Sequence, residues 1–146
     1  MKRFRLGLIL PACGVCLAAG LFAAFGAGSA PAALKAAPTT KVTTITVTAG
    51  KPSELAFKLS SFSSIPAGTV TFKVTNQGVA YHDFEICTTP VTSTAKNSCV
   101  GQMTKILHHG QSATLTVKIT KTGKYEYLCT VPGHAAAGMK GDLKVT

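Results

Sequence analysis

The chain has 146 residues, a length that accommodates one domain and an export segment. Hydrophobic residues make up 46% of it and charged residues only 14%, which excludes a disordered, highly charged tail protein. Fifteen Lys and Arg against five Asp and Glu give a formal net charge of +10. The five cysteines are too few for a small domain held together mainly by disulfides.

The N-terminus has the layout of a secretory signal. Residues 1–5 are basic, and residues 6–34 carry no charge, are rich in Leu, Ala and Gly, and end in small residues. We therefore predict a signal peptide over residues 1–33. The alternative is an uncleaved membrane anchor through residues 6–34, which are long enough to span a bilayer. Both interpretations place the remaining chain outside the cytoplasm, in the periplasm, in the cell envelope or secreted.

A short linker precedes a domain with a two-residue period. Residues 34–41 are rich in Ala, Pro, Thr and Lys and indicate a linker. In residues 42–146, hydrophobic and polar side chains alternate in short runs separated by Gly-, Pro- and Asn-containing turn signals. This pattern predicts about seven or eight strands in an all-β sandwich. Residues 87–107 are the least regular part and offer either a short helix or a long loop. The hydrophobic runs are Ile45 and Val47; Leu55, Phe57 and Leu59; Val70, Phe72 and Val74; Ala113, Leu115, Val117 and Ile119; and Leu143 and Val145.

Two predicted strands carry reactive side chains on their core-facing sides. In residues 81–87, His82 is predicted to face the core and the odd-numbered positions to face outward; in residues 124–129, Cys129 faces the core and the even-numbered positions face outward. His134 and Met139 follow, each separated from the preceding reactive residue by four others. Singly, each of these side chains is explained by core packing. Together, two imidazoles, a thiolate and a thioether are the ligand set of a blue-copper electron-transfer site.

The segments YHDFEI and GKYEYLCTVPGHAAAGMKGDLKV resemble the cupredoxins, the plastocyanin/azurin-like small blue copper proteins. The resemblance implies a Greek-key β-sandwich and one copper ion that cycles between Cu(I) and Cu(II). It assigns His82, Cys129, His134 and Met139 as the ligands. The two four-residue gaps in the ligand loop are most similar to those of the rusticyanin-like members.

The resemblance also implies a supporting pair and a function. In this family the residue after the first histidine often fixes the ligand loop by hydrogen bonds; Asp83 occupies that position and Thr130 is its expected partner. The expected function is one-electron transfer between redox proteins by a monomeric carrier that is not an enzyme. Copper buffering or delivery by the same ligands is the alternative. An enzyme with Cys129 and His134 as nucleophile and base would leave the other two ligands unexplained.

Two further groups of residues suggest chemistry. Cys87 and Cys99 enclose 11 residues, and an oxidising compartment favours a disulfide between them. Closing a loop of that size stabilises a fold by about 3 kcal/mol. His108 and His109, with Met103 nearby, either form a second metal site or are exposed turn residues; their position before a predicted strand favours the turn.

The basic charge indicates the type of partner. Arg3 and Arg5 are the only arginines and lie in the predicted signal peptide, so the domain's positive charge comes from lysine. No aromatic residues are interleaved with these lysines in the pattern of a nucleic-acid surface, so no nucleic-acid partner is expected. A lysine surface instead fits redox partners with acidic docking surfaces, or association with an anionic membrane surface.

Overall fold

The structure is a computed structural model that describes residues 41–91 and 98–146. The predicted signal peptide and nearly all of the predicted linker lie outside the described residues. Within the described ranges, no helix is long and apolar enough to cross a membrane. The described residues form eight strands: β1 (Val42–Ala49), β2 (Phe57–Leu59), β3 (Gly68–Asn76), β4 (Glu85–Cys87), β5 (Gly101–Met103), β6 (Ser112–Ile119), β7 (Gly123–Leu128) and β8 (Lys140–Val145).

The strands form two sheets of four, with the orders β2-β1-β3-β6 and β5-β4-β7-β8. β1 and β3 are parallel, and the other neighbouring strands are antiparallel. The chain changes sheet after β3, after β5 and after β6. The predicted all-β sandwich is confirmed.

An aromatic cluster between the two sheets anchors the segment that carries His82. The Phe84 side chain is fully buried. Its ring centroid lies 5.0 Å from that of Phe72, 5.3 Å from that of Phe57 and 5.6 Å from that of Tyr127. Burial of one such side chain contributes about 1.5–3 kcal/mol, and each well-oriented ring pair adds about 0.5–1.5 kcal/mol. Because Phe84 is two residues from His82, this packing fixes where the histidine enters the core.

The prediction that one face of β4 and one face of β7 are exposed is partly wrong. Tyr81 and Lys124 are exposed as predicted, but the other positions are not. The chain after β4 returns across this face: the Val91 N–H donates to the Lys124 carbonyl at 2.7 Å, and a side-chain carbon added at Gly101 would lie 2.7 Å from Glu85 Oε1. The two-residue period therefore predicts correctly which side chains share a face, but the face that was predicted to be exposed is buried as well. The buried positions that were predicted to face outward are Asp83, Glu85, Cys87, Glu126 and Leu128.

A disulfide closes the segment that follows β4. Cys87 and Cys99 are bonded to each other, with their Cα atoms 5.7 Å apart. The described ends of this segment contain β5 and no helix, while residues 92–97 lie outside the description. The predicted strand over residues 81–87 is shorter than expected, because His82 forms only an isolated bridge with Leu107 before β4 begins.

Candidate metal centre

Three side chains from separate parts of the chain converge at one end of the sandwich. His82 precedes β4, Cys129 follows β7, and His134 lies in the loop between β7 and β8. The Nδ1 atoms of the two histidines are 3.2 Å apart. Cys129 Sγ lies 3.9 Å from His82 Nδ1 and 3.5 Å from His134 Nδ1. These three residues were predicted from the sequence to lie together, and they do so in the structure.

These distances fit a single metal ion. A first-row metal such as zinc bonds imidazole nitrogen at about 2.0–2.1 Å and thiolate sulfur at about 2.3 Å. Two nitrogens that share such an ion are therefore at most about 4.2 Å apart, and a nitrogen and a sulfur at most about 4.4 Å apart. All three measured separations lie below these limits. Two soft-to-borderline nitrogens and one sulfur also form a donor set that copper favours.

The loop between β7 and β8 is held by its own backbone hydrogen bonds. The His134 N–H donates to the Val131 carbonyl at 3.0 Å, and the Met139 N–H donates to the His134 carbonyl at 2.9 Å. Gly133 and Gly138 have φ values of +86° and +104°, which side-chain-bearing residues rarely adopt. These turns bring the chain back to β8, which begins at Lys140.

Met139, the predicted axial ligand, lies beside the cysteine. Its side chain is fully buried and packs in a small cluster with Ala49 and Cys129. The Cys129 N–H also donates to the Met139 carbonyl at 3.0 Å, which fixes the two backbones against each other. The structure therefore places a thioether-bearing residue next to the cysteine of the three converging side chains.

Burial determines the protonation chemistry of the centre. His82 and Cys129 are buried and His134 is partly buried. Desolvation raises the pKa of the Cys129 thiol to about 11, although hydrogen bonds from the backbone of Asp83 and Val131 act in the opposite direction. Desolvation lowers the pKa of His134, and the neighbouring His82 lowers it further. A metal that binds the Cys129 thiolate therefore displaces a proton at pH 7.

The predicted supporting pair is in contact. The Thr130 N–H donates to Asp83 Oδ1 at 2.6 Å, and the Thr130 hydroxyl donates to Asp83 Oδ2. The carboxylate is 2% exposed. Because Asp83 follows His82 and Thr130 follows Cys129, this pair connects the two chain segments that carry these side chains.

Glu54, which was not predicted as a site residue, contacts His82 directly. Glu54 Oε1 lies 3.1 Å from His82 Nε2. The carboxylate also accepts the Val79 N–H at 3.1 Å and the Ala80 N–H at 2.7 Å. The hydrogen bonds from Ala80 and Val79, followed by that with His82, lower the pKa of Glu54 to about 2. The contact could not be predicted from the sequence, because Glu54 is a single glutamate in a turn between β1 and β2 and belongs to no motif.

His108 and His109 do not join the centre. The one group of metal-binding side chains found in residues 41–91 and 98–146 contains neither of them. Both are exposed, as the turn interpretation predicts. His109 Nδ1 lies 2.8 Å from the Gly78 carbonyl, and the His108 and Tyr81 ring centroids are 4.4 Å apart.

The comparison with known families decides the identity of the domain. Residues 31–146 match the copper binding proteins of the plastocyanin/azurin family. The chain belongs to this family. The predicted membership is thereby confirmed, and copper is the metal that the family binds. The converging histidines and cysteine, with the adjacent methionine, supply the corresponding donor types.

Known plastocyanin/azurin-type proteins resemble the chain in sequence and in structure. Auracyanin-B of Chloroflexus aurantiacus is 49% identical over 43 residues, which are 30% of this chain and 18% of that protein. The matched stretch thus spans less than a fifth of that relative. The solved structure of auracyanin B is 28% identical, with a TM-score of 0.58 over 74% of this chain and 91% of the other.

Two further structures share the fold. An auracyanin from Roseiflexus castenholzii is 25% identical, with a TM-score of 0.53 over 72% of this chain and 96% of the other. Rusticyanin from Thiobacillus ferrooxidans is 24% identical, with a TM-score of 0.59 over 74% of this chain and 79% of the other. The likeness to rusticyanin-like members that the loop spacing predicted is therefore present in the fold.

Proposed function

We propose that this protein is an exported carrier of single electrons, with one copper ion bound by His82, Cys129 and His134 and with Met139 as its axial ligand. The observation that carries the proposal is the convergence of two imidazole nitrogens and one thiol sulfur within 4.8 Å of one another. Copper supplies the one-electron couple. Trigonal sites with two histidines, one cysteine and a weak axial methionine are typical of electron transfer.

The surrounding chain suits a carrier because it limits movement at the ligands. His82 exchanges two backbone hydrogen bonds with Leu107, at 3.2 Å and 2.7 Å. Cys129 follows directly on a strand that is paired on both sides. Soft sulfur favours Cu(I), whereas nitrogen favours Cu(II). A fixed mixed set suits both states, so little rearrangement accompanies each electron.

The ligand loop provides a route to the surface. His134 is partly buried and borders solvent, while Pro132, Gly133 and Ala136 beside it are exposed. These small, mostly apolar residues allow a partner to approach the imidazole closely. We infer that electrons enter or leave through His134.

The distribution of charge supports redox partners with acidic docking surfaces. The chain has only five acidic residues. Three of them are buried, Asp142 pairs with Lys124 at 2.8 Å, and Glu54 is hydrogen-bonded to the His82 segment. The charge that remains available on the described surface is therefore mainly lysine. Such a surface attracts anionic proteins, and also anionic membranes, by long-range electrostatics.

An optical and electrochemical titration tests the proposal. Addition of Cu(II) to the metal-free protein should produce intense visible absorption that disappears reversibly on reduction. Cys129→Ser should abolish the band. Met139→Leu should keep the band and change the midpoint potential, whereas the control Met103→Leu, at a methionine that is 51% exposed, should change neither.

Two outcomes would contradict the carrier function. Copper-loaded protein without a visible band would exclude the proposed ligand set. A site that binds copper but loses it rapidly to a chelator, with no reversible potential, would favour copper buffering or delivery instead.

A further inference from the structure

We propose that Glu54 is a positioning residue for His82, and that its hydrogen bond lowers the reduction potential of the copper ion. The proposal rests on the copper site proposed above. Glu54 lies in the turn between β1 and β2, 28 residues from His82 in sequence.

The contact determines which imidazole nitrogen carries the hydrogen. A carboxylate accepts hydrogen bonds and donates none, so the 3.1 Å contact between Glu54 Oε1 and His82 Nε2 places the hydrogen on Nε2. The Nδ1 lone pair of His82 is then free. This Nδ1 atom is the one that lies 3.2 Å from His134 Nδ1 and 3.9 Å from Cys129 Sγ. Glu54 thus selects the tautomer that presents a donor to the metal.

The position of the carboxylate is itself fixed by the loop before His82. Glu54 accepts the backbone N–H groups of Val79 and Ala80. A side-chain carbon at Gly78 would lie 2.5 Å from Glu54 Oε1 and 2.9 Å from His82 Nε2. The absence of a side chain at Gly78 therefore allows the carboxylate and the imidazole to meet.

A buried asparagine holds the same loop from its other side. Asn76 is fully buried. Its Oδ1 accepts the Gly78 N–H at 2.8 Å, and its Nδ2 donates to the Ala80 and Leu107 carbonyls, each at 2.8 Å. The loop that donates hydrogen bonds to Glu54 is consequently held by contacts that do not depend on a metal.

The electronic consequence follows from the charge of the acceptor. A carboxylate on the outer nitrogen makes the ligating nitrogen a stronger base, and a stronger nitrogen donor favours Cu(II) over Cu(I). Loss of such a partner typically weakens metal binding by 10–100-fold. A tenfold loss of Cu(II) affinity at unchanged Cu(I) affinity raises a one-electron potential by about 59 mV.

Three variants separate the carboxylate contact with His82 from the loss of a negative charge elsewhere in the domain. Glu54→Gln removes the charge and retains one acceptor oxygen. Glu54→Asp retains the charge but withdraws the oxygen from His82. Asp142→Asn removes the same charge from a residue that pairs with Lys124 and contacts no proposed ligand. We expect the potential to rise by about 59 mV in Glu54→Gln and in Glu54→Asp, and to change much less in Asp142→Asn.

A second readout does not require copper. In the metal-free protein, long-range ¹H–¹⁵N NMR should show His82 with its hydrogen on Nε2, and that single tautomer should be lost in Glu54→Asp. A wild-type His82 with its hydrogen on Nδ1 would overturn the proposal. So would potentials of the two Glu54 variants that shift no more than that of Asp142→Asn. If copper-loaded protein shows no blue band, the copper function fails, but the tautomer measurement still decides the role of Glu54.

Discussion

Replacing Thr130 by valine should destabilise the domain out of proportion to the exposure of this residue. Thr130 is exposed, whereas its partner Asp83 is 2% exposed. Valine keeps the backbone N–H that donates to Asp83 Oδ1 and removes only the hydroxyl that donates to Oδ2. The cost therefore comes from a buried carboxylate oxygen that loses a donor.

The expected size of the destabilisation follows from the difference in exposure between Thr130 and the buried Asp83 carboxylate. A hydrogen bond to a charged group contributes about 1.5–3 kcal/mol to stability. Because the hydroxyl lies at the surface, water partly replaces it, and we expect a loss of about 2 kcal/mol in the free energy of unfolding. In a domain of this size each kcal/mol corresponds to about 4–8 °C, so the melting temperature should fall by about 8–16 °C.

Urea denaturation of the metal-free, disulfide-intact protein measures this loss. Thr116→Val is the matched control: it makes the same chemical change at an exposed position on β6, where the hydroxyl pairs with the uncharged Thr71 hydroxyl at 3.1 Å. The control should remain within about 0.5 kcal/mol of the wild type. Equal losses in the two variants would refute the argument that the buried Asp83 carboxylate depends on Thr130.

Other changes test the disulfide, the core and the buried acid. Replacing Cys87 and Cys99 together by serine should cost about 3 kcal/mol in urea denaturation, because the 12-residue separation no longer restricts the unfolded chain; the Cu(II) spectrum should not change. Phe84→Ala should cost about 3–5 kcal/mol, whereas Phe62→Ala, at a residue that is 60% exposed, should cost less than about 1 kcal/mol. Burial raises the pKa of Glu85, so the stability that the carboxyl group contributes is complete below its unfolded pKa and is lost as pH rises through the folded pKa. Glu85→Gln should therefore gain stability relative to the wild type as pH rises above the ordinary glutamate pKa of about 4.3; a difference that does not change with pH above this value would contradict the assignment.

The sequence predicted the sandwich because alternation is a local property. Val70, Phe72 and Val74 alternate with polar residues, and all three are buried in β3. The convergence of His82 with Cys129 could also be predicted, since both lie on inward faces and their residue types match a known ligand set. Side-chain type and the two-residue period were therefore sufficient to predict the sandwich and this convergence, and no knowledge of distant contacts was needed.

Contacts between distant loops could not be predicted in this way. Glu54 reaches His82 because the β1–β2 turn and the loop after β3 lie at the same end of the sandwich, where Gly50 and Gly78 pack closely enough that a side-chain carbon at Gly50 would lie 2.3 Å from Gly78 Cα. Nothing in the local pattern of residues 50–54 distinguishes this turn from an ordinary one. The burial of Glu85 was missed for the same reason, because the covering segment follows β4 irregularly.

Two of the five acidic residues of this lysine-rich chain hold the segments that carry the proposed ligands. Glu54 fixes His82 from its outer nitrogen, and Asp83 ties the His82 segment to Thr130 beside Cys129. Neither contact involves the metal, so the donor atoms are positioned before an ion arrives, and binding need not bear the cost of ordering them. Burial of Asp83, Glu85 and Glu126 removes negative charge from the surface, and lysine predominates on the surface of the described residues. One distribution of charge thus supports both the stiffness of the site and the proposed attraction of acidic redox proteins.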